Sequence, residues 1–213
     1  MNFHPQRLMT LPALLLCGLT AHVHAQTVVL DSFGPGDAVD GWPSLLYQSA
    51  SGRQDVAIPF TLSSATTIQS ILTSIDGLGG VTLGILARQG AVPTGAAWLY
   101  SSHLANPTAN SLLTPTGWTL AAGTYWLAAV ADNGFSGSWQ SGTDDYTANW
   151  AYTNSAGAWQ EVTTQFTGLP AARITVTAVP EPASFGLLGA GVLLVAAASR
   201  RKTAQQANAS QQG

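Results

Sequence analysis

Between Ala172 and Val179 the chain alternates strictly, with Ile174, Val176 and Ala178 on one side and Arg173, Thr175 and Thr177 on the other. A period of two places successive side chains on opposite faces of an extended strand, which suits a segment with one face on a core and one in water. The same period recurs upstream. Val81, Leu83, Ile85 and Ala87 share a face, as do Val56, Ile58, Phe60 and Leu62. Pro59 within the latter run predicts an edge strand, because proline has no N–H to give to a ladder. From Tyr125 to Ala131 both faces are apolar, which predicts a central strand. Further strands are expected over residues 27–30, 66–75, 97–104, 148–153 and 158–166. Turn chemistry separates them at Gly79-Gly80, Asp132-Asn133-Gly134 and Asn154 to Gly157. Nine or ten short strands without an amphipathic helix predict an all-β fold over residues 26–178, an antiparallel β-sandwich of jelly-roll-like type.

Composition narrows the setting. The 213 residues suffice for one domain plus terminal signals. Only 8% are charged, where about a quarter is usual for soluble domains, and this suits a β-rich exported protein. Between Gln26 and Val179 the basic residues are Arg53, Arg88 and Arg173, against nine acidic ones, a net charge of −6. Such a domain has no electrostatic footprint for nucleic acid. Cys17 is the one cysteine and falls in the leader, so the region after residue 25 has no disulfide, thiolate metal site or cysteine nucleophile. A lipoprotein reading of Leu14-Leu-Leu-Cys17 conflicts with bulky Leu16, where that processing wants a small residue.

Both ends read as addresses. Residues 1–25 form a signal peptide: Arg7, an apolar run from Leu8 to Leu19, then Val23-His24-Ala25, with signal peptidase expected to cut between Ala25 and Gln26. Near the other end, residues 183–199 give 17 uncharged residues, the lower limit for a transmembrane helix. Arg200, Arg201 and Lys202 follow directly and mark the cytoplasmic flank. Residues 203–213 are expected to form a disordered cytoplasmic tail.

Pro180-Glu181-Pro182, the short apolar helix and the arginine-led cluster together resemble the PEP-CTERM sorting signal of Gram-negative bacteria, here over residues 179–202. The resemblance implies that an exosortase recognises Pro180, Glu181 and Pro182 and removes the apolar tail. The protein would sit in the inner membrane before processing, then at the cell surface or outside the cell, in a bacterium that makes exopolysaccharide and biofilm. Two prolines keep residues 179–182 extended and accessible above the membrane. A polar tail beyond the basic cluster departs from the usual pattern.

A second likeness is local. Trp118-Thr-Leu-Ala-Ala-Gly-Thr-Tyr-Trp-Leu127 resembles a strand opening of choice-of-anchor surface domains, which are sandwiches. It implies that Gly123 makes the turn and that Tyr125 and Leu127 enter the core. It implies no activity.

Candidate chemistry is sparse. A Ser-His-Asp arrangement needs a histidine, and residues 26–178 contain only His103, in Ser101-Ser-His103 with no G-x-S-x-G elbow. Glu161 and the pair Asp144-Asp145 come with no motif for glycoside hydrolysis. One histidine without cysteine gives no zinc site. No catalytic residue and no metal ligand is therefore assigned, and the protein is expected not to be an enzyme. Calcium is the one cofactor left open, because Asp31, Asp37, Asp40, Asp132, Asp144 and Asp145 lie in loop-like contexts; ordinary turn chemistry is the competing reading.

Carbohydrate is the alternative ligand. Trp139, Trp150 and Trp159 cluster among Asp144, Asp145 and Asn149, and a flat exposed ring beside polar groups is a physical means of holding a sugar. Core packing is the competing reading for these rings. Trp139, in a Gly/Ser-rich stretch, is the one expected to be exposed. The sequence thus predicts a non-catalytic surface or matrix protein associated with exopolysaccharide, with a carbohydrate-binding module acting through the Trp139–Trp159 region as the alternative.

Overall fold

The computed structural model describes residues 25–93, 97–142, 149–163 and 168–179, and these form fifteen β-strands. Among them there is no helix, and hence none long and apolar enough to cross a membrane. The expected signal peptide, transmembrane helix over 183–199 and tail over 203–213 lie outside the described residues.

One layer is a six-stranded antiparallel sheet. Its order is β14 (Trp159–Val162), β13 (Trp150–Thr153), β4 (Val56–Leu62), β11 (Gly123–Ala131), β7 (Gly80–Ala87) and β8 (Trp98–Ala105). Strand β11 is central, as its two apolar faces predict. Tyr125, Leu127, Ala129 and Ala131 point into the main core. Trp126 and Ala128 meet Ala57, Leu86 and Ala151 on the other face, under a partial roof of Val92, Trp98 and Trp159. The Arg88 guanidinium lies 4.7 Å from the Trp126 ring centre, a cation–π contact that shields the same face.

The expectation from Pro59 needs correction. Strand β4 is interior, lying between β13 and β11. Pairing with β13, however, involves only Val56 and Ala57, so the ladder has ended before Pro59 is reached. Proline is tolerated because it borders no strand on that side, not because β4 is an edge.

The facing layer is two sheets joined end to end. One runs β1 (Gln26–Asp31), β15 (Ala172–Ala178), β5 (Thr66–Thr73) and β10 (Thr119–Leu120), with β9 (Ser111–Leu113) also on β5. The other runs β3 (Gly52–Gln54), β2 (Gly41–Ser49), β12 (Ser136–Ser141) and β6 (Ile75–Leu78). The single strand expected over 66–75 is interrupted at buried Ser74, where the chain exchanges β15 for β12 as its partner. Three backbone hydrogen bonds close the junction: Ser74 N–H to Ala171 O at 3.1 Å, Gln140 N–H to Ser74 O at 2.9 Å, and Ala171 N–H to Gln140 O at 2.8 Å. Across β6 and β12, Gly77 faces Gly137, and a Cβ on Gly137 would stand 2.1 Å from Asp76 O. Only glycine permits so close a backbone approach.

All three sheets contribute to one core, through residues such as Leu30, Leu46, Ile58, Ile75, Leu127 and Ile174. The arrangement is sandwich-like, and each such side chain taken fully from water stabilises it by about 1.5–3 kcal/mol. The Tyr125 hydroxyl donates to Ala121 O at 3.0 Å, tying the start of β11 to the chain just before it in the manner of a tyrosine corner. Tyr125 and Leu127 are buried at 9% and 0% exposure, as the local likeness implies.

Candidate functional site

A cleft opens where β2 passes β13 and β14. It holds about 490 Å³ and is lined by Trp42, Leu45, Gln54, Trp150, Tyr152 and Glu161 among others. Alternation along β2 places Trp42 on the face of Ser44 and Leu46, which are buried. Trp42 lies at the start of the strand, beyond the core, and is left 77% exposed. Leu45, on the alternate face of β2, is 58% exposed. Opposite stand Trp150 and Tyr152, with ring centres 6.0 Å apart at 51°. Trp150 is 7% exposed, and its indole N–H has no hydrogen-bond partner among the described residues. Asn149 Nδ2 donates to Glu161 Oε1 at 2.8 Å, fixing the carboxylate beside the ladder.

The tryptophans grouped by sequence are dispersed by the fold. Trp139, expected to be exposed, is fully buried in β12, and its Nε1–H donates to Ala171 O at 2.9 Å. The reading of Trp139 as an exposed sugar platform is therefore corrected: Ser-Gly-Ser-Trp-Gln-Ser is not a loop but a strand held between β2 and β6, and its one large side chain fills the core. Trp150 packs in the main core and lines the cleft. Trp159 is half-buried on the other face of the six-stranded sheet, near Trp98. In the β13–β14 register Trp150 pairs with Val162 and Thr153 with Trp159, so the two rings fall on opposite faces. Asn149 and Glu161 are brought together; Asp144 and Asp145 lie outside the described residues. Sequence reasoning missed Trp42, for which the available signal was a tryptophan between Gly41 and Pro43, far from any apolar alternation.

The remaining charges are largely occupied. Arg173 spans two carboxylates, with Nε donating to Asp31 at 2.8 Å and Nη2 to Asp37 at 2.7 Å, and these bonds push its already high pKa further up. Asp31 and Asp37, named for calcium, thus face a guanidinium. Asp132, also so named, meets His103 Nε2 at 2.8 Å across two largely exposed side chains. Among the described residues no three His, Cys, Asp or Glu side chains converge. Asp55 is the one buried carboxylate of the described residues. Its Oδ1 accepts from Ala131 N–H at 3.0 Å and its Oδ2 from Arg53, while its own N–H donates to Thr153 Oγ1 at 2.8 Å. Burial raises its pKa above the ordinary carboxylate value, against the opposing pull of those bonds. These contacts link β3, β4, β11 and β13 and mark Asp55 as structural.

At its C-terminal end the fold closes on Ala178, the last residue of β15, followed by Val179 N–H donating to Ala65 O at 3.0 Å. The family model described as the PEP-CTERM protein-sorting motif matches residues 178–202. The chain carries that motif. It belongs to an exported protein sorted by an exosortase, and it begins where the last ladder ends. The recognition residues Pro180, Glu181 and Pro182 and the flank Arg200, Arg201 and Lys202 lie within the match and outside the described residues. No curated protein and no solved structure matches the chain.

Proposed function

We propose that this protein is a non-catalytic component of the bacterial surface or extracellular matrix, associated with exopolysaccharide. Signal peptidase would cut between Ala25 and Gln26, directly before β1. A helix over 183–199 would hold the chain in the inner membrane, with Arg200, Arg201 and Lys202 on the cytoplasmic side. Exosortase would then act at Pro180-Glu181-Pro182 and release the sandwich to the cell surface. The observation that carries this reading is the sorting motif at residues 178–202, joined to β15 without a spacer. The last ladder is paired up to Ala178 and Val179 is anchored to Ala65, so the proline-bracketed segment follows the sandwich directly in sequence.

The test compares surface and matrix fractions from strains with and without the exosortase gene, reading the C-terminal peptide by mass spectrometry. Loss of residues 183–213 from the surface form, only when the exosortase is present, is expected. Intact 183–213 on surface-exposed protein would overturn the route. Turnover of a panel of glycoside and ester substrates would overturn the non-catalytic assignment. A second reading, a carbohydrate-binding module, is favoured by the aromatic cleft at Trp42 rather than by the Trp139–Trp159 grouping.

A further inference from the structure

We infer that the cleft between β2 and the β13–β14 pair is a subsite for a neutral polysaccharide, with the Trp42 indole as the platform for one face of a sugar ring. This rests on the matrix reading above and specifies the chemistry of its ligand.

A pyranose ring joins an apolar C–H face to a rim of hydroxyls, so it needs a flat apolar surface bordered by fixed polar groups. Trp42 supplies the surface, since most of its indole is in water. Gln54 and Tyr152 supply donors and acceptors around the cleft. The volume of about 490 Å³ falls within the range of about 300–1,000 Å³ typical of small-ligand sites. Opposite Trp42 the wall is preorganised, because Trp150 is packed in the core with Tyr152 against it. A preformed wall lowers the ordering cost of binding.

Charge selects among polysaccharides. Among the described residues no arginine lines the cleft: Arg53 is engaged by Asp55, Arg88 lies over Trp126, and Arg173 bridges Asp31 and Asp37. With a net charge of −6 over the central region, a polyuronate chain meets like charge and no counter-charge. The recess at Trp98 and Trp159 is a weaker candidate, since both rings there roof the Trp126 cluster.

The test is affinity electrophoresis of the full-length chain, in mild detergent, through gels containing β-1,3-glucan, β-1,4-glucan, dextran, mannan, galactan or alginate. Retardation is expected in at least one neutral gel and not in alginate. Trp42→Ala should weaken that retardation at least tenfold with an unchanged thermal midpoint, Trp42→Phe should retain part of it, and Leu112→Ala, an exposed residue on β9, should leave it intact. Migration unaffected by every neutral polysaccharide, equal retardation in alginate, or full retardation of Trp42→Ala would each overturn the inference. So would a dimer, seen by light scattering, that Trp42→Ala dissolves without any gel retardation. Failure of the matrix reading is read separately, from whether the wild-type chain reaches the surface fraction at all.

Discussion

Replacing Trp139 separates a core side chain from a ligand platform. Its indole is fully buried in β12, packed among residues of all three sheets, and gives its N–H to Ala171 O at 2.9 Å. Truncation of a buried tryptophan to alanine costs about 3–5 kcal/mol. Against a domain stability of about 5–15 kcal/mol, that is a large fraction. For about 150 residues each kcal/mol moves the midpoint by about 2–4 °C, so Trp139→Ala should unfold about 6–20 °C lower than wild type. Trp139→Phe keeps most of the ring and loses the donor, worth about 1 kcal/mol. The Ala171 carbonyl is not orphaned, since it also accepts from Ser74 N–H at 3.1 Å, so this milder variant should cost about 2 kcal/mol in all, with the lost volume. Thermal unfolding followed by far-ultraviolet circular dichroism measures both, with Trp42→Ala as the control expected to stay within about 0.5 kcal/mol of wild type. If Trp139→Ala melts with wild type while Trp42→Ala melts well below it, the assignment of the two rings is reversed.

Two further perturbations follow from single contacts. Because burial raises the Asp55 pKa, the native state holds that proton more tightly than the unfolded chain. Its contribution is therefore fully present below the ordinary carboxylate value and is lost as pH rises through the raised native one. Asp55→Asn should remove that slope when urea unfolding is measured from pH 3 to pH 8, and a stability difference from wild type that is constant across this range would refute it. Tyr125→Phe deletes the hydroxyl that reaches Ala121 O; a loss of about 0.5–1.5 kcal/mol in urea unfolding is expected, and no loss would show that the corner adds nothing.

Much of the fold was legible because burial in a sheet is written with a period of two. Strand β15 alternates in sequence and in structure, and β11, apolar on both sides, is covered on both sides. Strands β2 and β12 were not legible. Gly41-Trp-Pro-Ser-Leu-Leu lacks a clean alternation, and Ser136-Gly-Ser-Trp-Gln-Ser has the composition of a loop. Both are strands because each pairs along the other, and β12 also along β6. That ladder joins segments about ninety residues apart.

The sequence by itself determined the destination and the fold class. A sorting motif is read by linear recognition, so Pro180-Glu181-Pro182, the apolar run and the basic cluster announce themselves without a fold. All-β character follows equally from local alternation. Tertiary structure alone decided which tryptophan meets water. Trp139, Trp150 and Trp159, neighbours in sequence, part to the core, the cleft wall and the opposite face, while the exposed ring is Trp42, about a hundred residues away. Alternation specifies the face on which a side chain stands, but what that face meets depends on pairing between distant strands.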